Sequence, residues 1–596
     1  MNKTRILLIA QKEMTQFFRG RKALLFTVAM AILGISQVII LKWAVPLPEF
    51  SFNAILYGSY NTFVQLLPLV LVAVLAISIC GEKESRVWYF YLSKPFRKPE
   101  IVLGKALFYN SAILLATLLA WLIIVGIAWW ITQPANVPWV ELFHVSLIVL
   151  SVTFTVINME IMFSSLASKT VTAALLIVIV WVALIIGNAA LKKAFGEGIL
   201  APYAAQSIQT DIVMRLLNMV VPDCPSCPPA YYPSTVEITK ACLHALLEGG
   251  LFATLAIFIP DLLNSIPTMA LRDSQEMPKT DHANLPTKEL VNVQEITFSY
   301  KRRPVLQNVS FQVREGQFFC LMGPNGAGKS TMFKILTGRL HPQAGDITIL
   351  GQDVKTSPHS VRHHIGVLID DMAIPDDFTV TELLVFAARS FGQSRDEALS
   401  TAQEIMAQLD LLEEQSTNIR KLSSGLRRRV EIGQALVNKA PLLLLDEPTI
   451  NLDPVSSQET RNLIKNIHAQ GTTIFYTTHL LHEVEELCTH LAILDAGQIK
   501  LYDSLENLRY QAQGQSRIEL RNSEDLPHAL ALLKERQIAA QIKNQVLVIP
   551  STRKETHNLI LDTLSAAHIK VTNAIFQIPT LADIYSQVSV LQQDFS

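Results

Sequence analysis

Hydrophobic and polar residues are arranged in two different ways along this chain of 596 residues. Up to about residue 270 the apolar positions form long uncharged runs, and after residue 290 they form short runs between polar stretches. Runs of about 20 apolar residues span a bilayer as helices, whereas short β-rich runs that alternate with helical ones are typical of an α/β domain. The pattern therefore predicts a membrane half followed by a soluble half.

The membrane half, residues 1–270, is predicted to be an all-α domain with six transmembrane helices. Residues 3–20 predict an amphipathic helix in the cytoplasmic interface, with Lys12 off its apolar stripe, and no small-residue cleavage site follows the first apolar run. Five spans are the alternative, because the turn at 167–170 is tight and the last run is the least hydrophobic. The predicted spans are residues 24–44, 60–80, 106–131, 144–167, 170–191 and 241–262.

Basic residues predict the orientation of these helices. Residues 82–105 hold six Lys or Arg side chains, whereas residues 45–56 and 133–143 hold none. The positive-inside rule then places residues 82–105 and the soluble half in the cytoplasm of a multi-pass membrane protein, in the inner membrane if the source is bacterial. Glu160 and Glu248 fall within predicted spans, where a carboxylate indicates either a functional site or a local structural pair.

Residues 192–240 form a loop long enough to build a cap outside the membrane. It contains Cys224 and Cys227, the only cysteines close together in the sequence. We interpret them as a local disulfide in preference to a redox pair or half of a metal site, because a closed zinc site needs four ligands. The remaining cysteines stand in apolar contexts and are predicted to be small core residues: Cys80, Cys242, Cys320 and Cys488.

A polar connector at residues 271–289 leads to a phosphate-loop motif. Residues 323–331 match the motif between an apolar strand-like run at 318–322 and a helical stretch at 332–339. The glycines let backbone N–H groups face phosphate oxygens, Lys329 supplies a positive charge for the β- and γ-phosphates, and the Ser330 hydroxyl suits Mg²⁺. The predicted phosphate-binding residues are Gly323, Pro324, Asn325, Gly326, Ala327, Gly328, Lys329, Ser330 and Thr331.

Two carboxylates follow the apolar run 442–445. A strand that ends in Asp446 and Glu447 delivers both side chains to one edge of a sheet. Asp446 is predicted to hold Mg²⁺ through water, and Glu447 to orient or deprotonate an attacking water. With the phosphate loop, these residues predict an ATP hydrolase that uses ATP and Mg²⁺.

Taken together, these motifs make residues 290–510 resemble the nucleotide-binding domain of ABC transporters, which implies an α/β P-loop fold. The resemblance implies that Tyr300 stacks on the adenine of ATP. A run that resembles the ABC signature contains Ser423 and Gly425, although it has Ser424 where a Gly is usual. In the family these two positions contact the γ-phosphate held by a second subunit.

Three more positions bear on this resemblance. Asp453 resembles the D-loop aspartate, and His479 resembles the switch histidine that acts with the catalytic glutamate. At Asp370 the chain departs from the family, which has a glutamine there. A carboxylate at this position can still ligate Mg²⁺, because that ion prefers oxygen, and its effect on rate and coupling is left open.

Two segments flank the nucleotide-binding resemblance. Residues 82–105 resemble the cytoplasmic hairpin of type-2 ABC exporter permeases, which implies a coupling helix that rests on the ATPase domain; the alternative is an interfacial anchor. Residues 511–596 alternate β-like and helical runs and predict a small α+β appendix of the split β-α-β type. Its end resembles the close of ATPase subunits of drug and type-2 exporters, and a stabilising flap is the alternative.

One membrane half and one ATPase half resemble a half-transporter of the ABC exporter class. This implies a dimer with a second copy, or with a paralogous half-transporter, and the apolar spans favour a lipophilic or amphiphilic small-molecule substrate. The alternatives are an ATP-driven machine that acts on an envelope partner through residues 192–240, and a metal or sulfur-compound transporter that uses Cys224 and Cys227. A net charge of -1 provides no basic field, so nucleic acid is not expected as a partner.

Overall fold

The computed structural model describes residues 2–19, parts of 52–76, 77–134, 137, 139–167, 169–180, parts of 239–256, 289–301, 303–370, 372–511, 514–552, 554–577 and 580–581. The chain divides into two units: residues 1–274, 371–404 and 412–422 form the first, and residues 275–370, 405–411 and 423–596 form the second. Several predictions lie outside the described residues: the first span, the loop 192–240 with Cys224 and Cys227, Glu248, and residues 271–288.

The first unit contains apolar helices of membrane-spanning length. Lys98–Thr132 and Leu142–Leu166 are long and apolar enough to cross a membrane, and they coincide with the third and fourth predicted spans. Two shorter apolar helices, Thr170–Val180 and Ala245–Ala256, lie within the fifth and sixth, so the count of six stays a prediction. The helices labelled here are α1 (Lys3–Arg19), α2 (Val87–Leu92), α3 (Lys98–Thr132) and α4 (Trp139–Leu166), with a π-helix at Ile77–Gly81.

Helices α3 and α4 run antiparallel. The side-chain amides of Asn110 and Asn158 exchange hydrogen bonds of 3.2 and 3.1 Å, and further along α3 the Trp121 Nε1–H donates to Ser146 Oγ at 3.0 Å. Glu160 is fully buried on α4, and neither of its carboxyl oxygens has a hydrogen-bond partner among the described residues. An unpaired buried carboxyl is expensive in a membrane, which keeps Glu160 a candidate functional residue.

Helix α1 departs from the predicted interfacial helix at its polar side. Lys12 is 3% exposed and Glu13 beside it is 4% exposed. Lys12 Nζ lies 2.8 Å from Glu13 and 2.7 Å from Glu82, so these charges face each other inside the protein. The amphipathic pattern gave the wrong environment for Lys12 because it shows which side of a helix is polar, and not whether that side meets other charges.

The soluble half is built from strands β1 to β10 and helices α5 to α12. The strands are β1 (Glu289–Tyr300), β2 (Arg303–Arg314), β3 (Phe318–Met322), β4 (Ala344–Ile349), β5 (Gln352–Asp353), β6 (Ile365–Leu368), β7 (Leu442–Asp446), β8 (Thr473–Thr478), β9 (His490–Asp495) and β10 (Gln498–Ser504). The helices are α5 (Lys329–Leu336), α6 (Pro358–His363), α7 (Val380–Ser390), α8 (Arg395–Gln408), α9 (Ser424–Leu436), α10 (Pro454–Ala469), α11 (Leu481–Leu487) and α12 (Leu505–Gln511). Helix α7 and most of α8 belong to the first unit.

A sheet with strand order β10-β9-β3-β8-β7-β6 forms the centre of the second unit. Its neighbours are parallel except for the β9–β10 pair. Strands β3, β7 and β8 are buried at every residue, as expected for parallel strands with both faces covered. A second, antiparallel sheet has the order β2-β1-β4-β5. The residues that follow β3, β7 and β8 therefore meet at one edge of the central sheet.

Two cysteines predicted to be separate core thiols are paired in the structure. Cys320 in β3 and Cys488 at the end of α11 form a disulfide, with Cα atoms 6.0 Å apart. They are separated by 168 residues and meet because β9, which starts just after Cys488, pairs with β3. Cys80 and Cys242 are free and buried, as predicted.

The appendix is a four-stranded antiparallel sheet with two helices. Its elements are β11 (Gly514–Leu520), α13 (Leu526–Glu535), β12 (Gln541–Lys543), β13 (Val546–Thr552), α14 (Lys554–Ala566) and β14 (Val571–Gln577). The strand order is β12-β13-β11-β14, and apolar residues of both helices form one core with the sheet. The short strand β12 was not predicted, because three exposed residues carry no apolar pattern.

Candidate functional site

The phosphate loop connects β3 to α5 and depends on its glycines. A Cβ atom at Gly323 would lie 2.1 Å from the carbonyl oxygen of Leu494, and Gly328 adopts a φ of +112° just before the helix. Helix α5 begins at Lys329, three residues earlier than the predicted helical stretch. Lys329, Ser330 and Thr331 therefore occupy the first helical turn, where free backbone N–H groups attract anions.

The Lys329 side chain folds back onto the backbone of this loop. Its Nζ donates to the carbonyl oxygens of Gly323 at 2.8 Å and Pro324 at 3.3 Å, and lies 3.4 Å from Glu447 Oε1. The side chain is 4% exposed. A buried ammonium group held by carbonyl oxygens has donors that phosphate oxygens can take over, which fits its predicted role.

Glu447 stands directly after β7 in a left-handed conformation, with a φ of 44°. Its backbone N–H donates to the carbonyl oxygen of Thr477 at 3.2 Å and to the Thr477 hydroxyl at 3.1 Å. Its Oε2 lies 3.1 Å from His479 Nδ1. The carboxylate is thus held between Lys329 and His479.

Asp446 is the more buried of the two carboxylates, at 3% exposure. Burial raises the pKa of Asp446 to about 6; the hydrogen bond from Thr477, 2.6 Å long, opposes this rise, and the charges of Asp370 and Glu447 add to it. A buried carboxylate that lacks full compensation is a suitable ligand for a hard cation such as Mg²⁺. Asp446 therefore fits the metal that accompanies ATP, and Ser330, in the first turn of α5, stays a predicted ligand.

Asp370 follows β6 and acts on this edge electrostatically. Its charge contributes to the raised pKa of both Asp446 and Glu431, after burial in each case. Within the described residues, no group of three or more His, Cys, Asp or Glu side chains is arranged to bind a metal ion. Magnesium bound with ATP needs few protein ligands, because phosphates and waters complete its octahedron.

The remaining predicted ATP contacts have local structural roles. Ser423 caps α9 and accepts a hydrogen bond from the Leu426 N–H at 3.3 Å, and Asp453 caps α10 in the same way. Hydrogen bonds with Ser456 lower the pKa of Asp453. Tyr300 is 44% exposed and packs edge-on against Phe298. None of the hydrogen bonds or ion pairs described in the structure joins these residues to Lys329.

One buried residue near the site was not predicted from the sequence. Glu483 on α11 is fully buried and accepts hydrogen bonds from the hydroxyls of Tyr476, Thr478 and Thr449, the Tyr476 bond being 3.0 Å long. It therefore joins the end of β8 to the segment that follows β7, next to His479 and Glu447 in the chain. In the sequence it belongs to an acidic run that resembles an exposed helix face, so only its spacing of four residues from His479 marks it.

The predicted coupling hairpin packs against a segment that belongs, by sequence, to the ATPase region. Phe386 of α7 stacks on Phe90 and Phe96, with ring centroids 6.0 and 6.1 Å apart, and meets Tyr91 edge-on at 6.2 Å. Phe90, Tyr91 and Phe96 are fully buried. The short helix α2 and the turn after it therefore form an aromatic contact with α7 inside the first unit.

Comparison with known sequences identifies the family. A family model described as "ABC transporter" matches residues 306–450, and one described as "ABC-2 family transporter protein" matches residues 7–223. The linearmycin resistance ATP-binding protein LnrL of Bacillus subtilis (strain 168) is 31% identical over 231 residues, which are 39% of this chain and 74% of that protein. The Nod factor export ATP-binding protein I of Burkholderia thailandensis is 35% identical over 208 residues, 35% of this chain and 68% of that protein.

Solved structures of ABC transporter ATP-binding proteins also align with this chain. The ATP-binding subunit of an ABC transporter aligns at 29% identity and a TM-score of 0.35, over 37% of this chain and 92% of that one. A dimeric bacterial ABC transporter cassette aligns at 25% identity and a TM-score of 0.34, over 36% and 98%. On the two family matches and the likeness to LnrL, the chain belongs to the ABC transporter family, with a membrane domain of the ABC-2 type and an ATPase whose hydrolysis of ATP is coupled to transport.

Proposed function

We propose that this ABC transporter exports a lipophilic or amphiphilic small molecule and works as a dimer of half-transporters. The observation that carries the proposal is the stacking of Phe386 on Phe90 and Phe96, because it links the ATPase segment to a hairpin that continues into the long apolar helix α3. The relatives named for linearmycin resistance and Nod factor export support the outward direction. The apolar spans support the substrate class.

In this proposal each residue of the ATP site has one role. Lys329 leaves the carbonyls of Gly323 and Pro324 to bind the β- and γ-phosphates, together with the backbone N–H groups of the loop. Glu447 orients the attacking water and takes its proton, while His479 holds the Glu447 carboxylate. Ser330 and Asp446 would hold Mg²⁺, with Asp370 as a further oxygen donor, and the ion would supply positive charge against the phosphates.

The second subunit completes the site in this proposal. Ser423 and Gly425 stand at the N-terminus of α9, where backbone N–H groups favour a phosphate, and they face the ATP held by the partner. Asp453 lies beside the same interface, and Tyr300 stacks on the adenine. The partner is a second copy of the chain, with a paralogous half-transporter as the alternative. The protein is placed in the cell membrane with its ATPase domain in the cytoplasm, as the charge pattern predicts.

The proposed coupling runs through the hairpin at residues 82–105. Closure of two ATPase halves on ATP displaces α7, Phe386 transmits the displacement to Phe90 and Phe96, and α3 carries it into the membrane. Hydrolysis then resets the dimer, because the closed state loses the γ-phosphate contacts that favour it.

ATP hydrolysis by the full chain in lipid vesicles tests the proposal. We expect the wild type to turn over, and Glu447→Gln to bind ATP within about threefold of wild type while turnover falls at least about 100-fold. Glu459→Gln, an exposed position on α10, is the matched control and should keep full activity. Wild-type protein that binds ATP without hydrolysing it would contradict the homodimer.

The same preparation separates the proposed substrate class from its alternatives. Lipophilic or amphiphilic compounds should stimulate hydrolysis and accumulate in inside-out vesicles when ATP is supplied. Hydrolysis that responds only to an added envelope protein would instead favour the force-transmitting machine.

A further inference from the structure

Four charged side chains form a buried cluster beside the coupling hairpin. Lys12 and Glu13 come from α1, Glu82 follows the π-helix, and Lys105 lies in the second turn of α3. Lys105 Nζ is 2.5 Å from Glu13 and 3.0 Å from Glu82, and Lys12 Nζ is 2.8 and 2.7 Å from the same two carboxylates. Both lysine side chains are 1% exposed. Two positive and two negative charges thus balance inside the protein.

The hairpin and α3 also contribute hydroxyl donors to this cluster. The Tyr91 hydroxyl donates to Glu82 Oε1 at 3.2 Å, and the Tyr109 hydroxyl donates to Glu13 Oε2 at 3.0 Å. Burial alone would raise the pKa of Glu13, but the charges of Lys105 and Lys12 hold it below its usual range. The carboxylate therefore stays charged and bound to both lysines.

Buried ion pairs of this kind add little net stability, because desolvation offsets their attraction. Their geometric demands are strict, however, since a displaced partner leaves a charge unpaired in a buried place. A cluster that joins three segments therefore defines one relative position of α1, the hairpin and α3. Gly104 supports this close fit, because a Cβ atom there would lie 2.6 Å from Ile9 Cβ and 2.7 Å from the carbonyl oxygen of Ile6.

Helix α1 also contacts α7 along its length. Arg19 makes two hydrogen bonds of 2.6 Å to Glu382, in the first turn of α7. Gln11 accepts from Arg389 at 3.2 Å, and Arg5 Nε donates to the carbonyl oxygen of Ser390 at 3.1 Å. Helix α1 thus contacts α7 and also contributes two members of the cluster.

We propose that α1 is a second coupling arm beside the hairpin, and that Lys12, Glu13, Glu82 and Lys105 are the positioning residues that make α1, the hairpin and α3 move as one body. The inference rests on the proposed function, in which ATP drives α3 through the hairpin. It assigns to the N-terminal helix a mechanical role in place of the predicted interfacial one.

Charge reversal and its compensation test the proposal in the full chain in lipid vesicles. A bimane label at Trp130→Cys, an exposed position near the far end of α3, reports transmission as an ATP-induced fluorescence change without any transported molecule. We expect Glu13→Lys and Lys105→Glu each to reduce this change at least fivefold while ATP hydrolysis stays within about twofold. The double variant, which restores two charges of each sign, should recover the change. The proposal is overturned if the single variants keep the full ATP-induced fluorescence change, or if the double variant shows none.

A cross-link serves as the second measurement if the single variants do not fold. Gln11→Cys and Arg389→Cys, joined by a short bismaleimide, fix α1 to α7. Because the two helices are proposed to move together, the linked protein should keep both ATP hydrolysis and the fluorescence change at Trp130→Cys; loss of the change overturns the proposal. If the label on otherwise wild-type protein shows no fluorescence change during ATP hydrolysis, that result counts against the proposed function itself. Failure of the proposed function can therefore be told apart from failure of the present proposal.

Discussion

His479 Nδ1 lies 3.1 Å from Glu447 Oε2, and this contact joins the ends of two neighbouring parallel strands at the proposed ATP site. Glu447 follows β7 and His479 follows β8, so their side chains meet although 31 residues stand between them in the chain. Glu483 binds the hydroxyls of Thr449 and Thr478, which lie close to Glu447 and His479 in the chain. Lys329 Nζ lies 3.4 Å from Glu447 Oε1, so the carboxylate of the proposed general base is held by both His479 and Lys329.

Removing His479 should slow the chemical step more than it weakens ATP binding. His479→Ala leaves Glu447 free to rotate, and we expect kcat to fall about 100-fold with KM for ATP within about threefold. Steady-state hydrolysis gives kcat and KM for ATP, and a single-turnover measurement gives the rate of the chemical step; together they check this. His482→Ala, at an exposed position on α11, is the control and should behave as wild type. Equal losses in both variants would contradict a direct role for His479.

The raised pKa of Asp446 predicts the pH dependence of metal use. Below about pH 6 the carboxyl is protonated in the nucleotide-free protein and must lose its proton to bind Mg²⁺. The Mg²⁺ concentration for half-maximal hydrolysis should therefore rise about tenfold per pH unit below that point. Asp370→Asn removes a charge that helps to raise this pKa, so its profile should move to lower pH. A shift to higher pH would contradict the electrostatic role of Asp370.

The Asp446 carboxylate should also lower the stability of the folded protein. Its pKa is higher in the folded protein, about 6 against 3.8, so its charged form destabilises the fold above pH 6, and this cost vanishes as pH falls toward 4. The shift corresponds to about 3 kcal/mol. Asp446→Asn should therefore raise the unfolding temperature of the nucleotide-free protein at pH 8, but not at pH 4, while it abolishes Mg²⁺-dependent hydrolysis. Thermal melts at both pH values check this.

The aromatic contact between α7 and the hairpin predicts an uncoupled variant. Phe386→Leu keeps an apolar side chain but loses the stacking on Phe90 and Phe96, so hydrolysis should persist while ATP-dependent transport falls at least about tenfold. Phe378→Leu removes a ring that contacts Phe386 at 5.7 Å and is the matched control. Transport per ATP hydrolysed is the quantity to compare. A proportional loss of both activities would show that the variant damages the ATPase and not its coupling.

Glu160 predicts a transport defect without a folding defect. Glu160→Gln removes the ability to ionise and keeps the shape of the side chain, so protein levels should stay near wild type while transport falls several-fold. Membrane expression and transport rate, measured on the same cells, are the two readouts. Equal losses of both would indicate that the buried carboxyl serves structure alone.

Local sequence was sufficient for the parts of the site that lie in one continuous stretch. The phosphate loop was predicted from residues 323–331, and the structure places it between β3 and α5 because its glycines permit a turn that other residues would block. The carboxylates Asp446 and Glu447 were predicted from one apolar strand. These motifs can be recognised from the sequence because each lies in one continuous segment. Within such a segment, the spacing of residues along the chain sets their spacing along the strand, turn or helix.

Tertiary structure decided which distant residues meet. The chain by itself determined a membrane half, an ATPase half and the motif residues of the ATP site, since these depend on local periodicity and turn chemistry. Only the fold paired Cys320 with Cys488, joined Glu483 to Thr449, and buried Lys12 and Glu13 with Glu82 and Lys105. These contacts join residues far apart in the sequence, and neither polarity nor spacing along the chain shows where a side chain finds its partner.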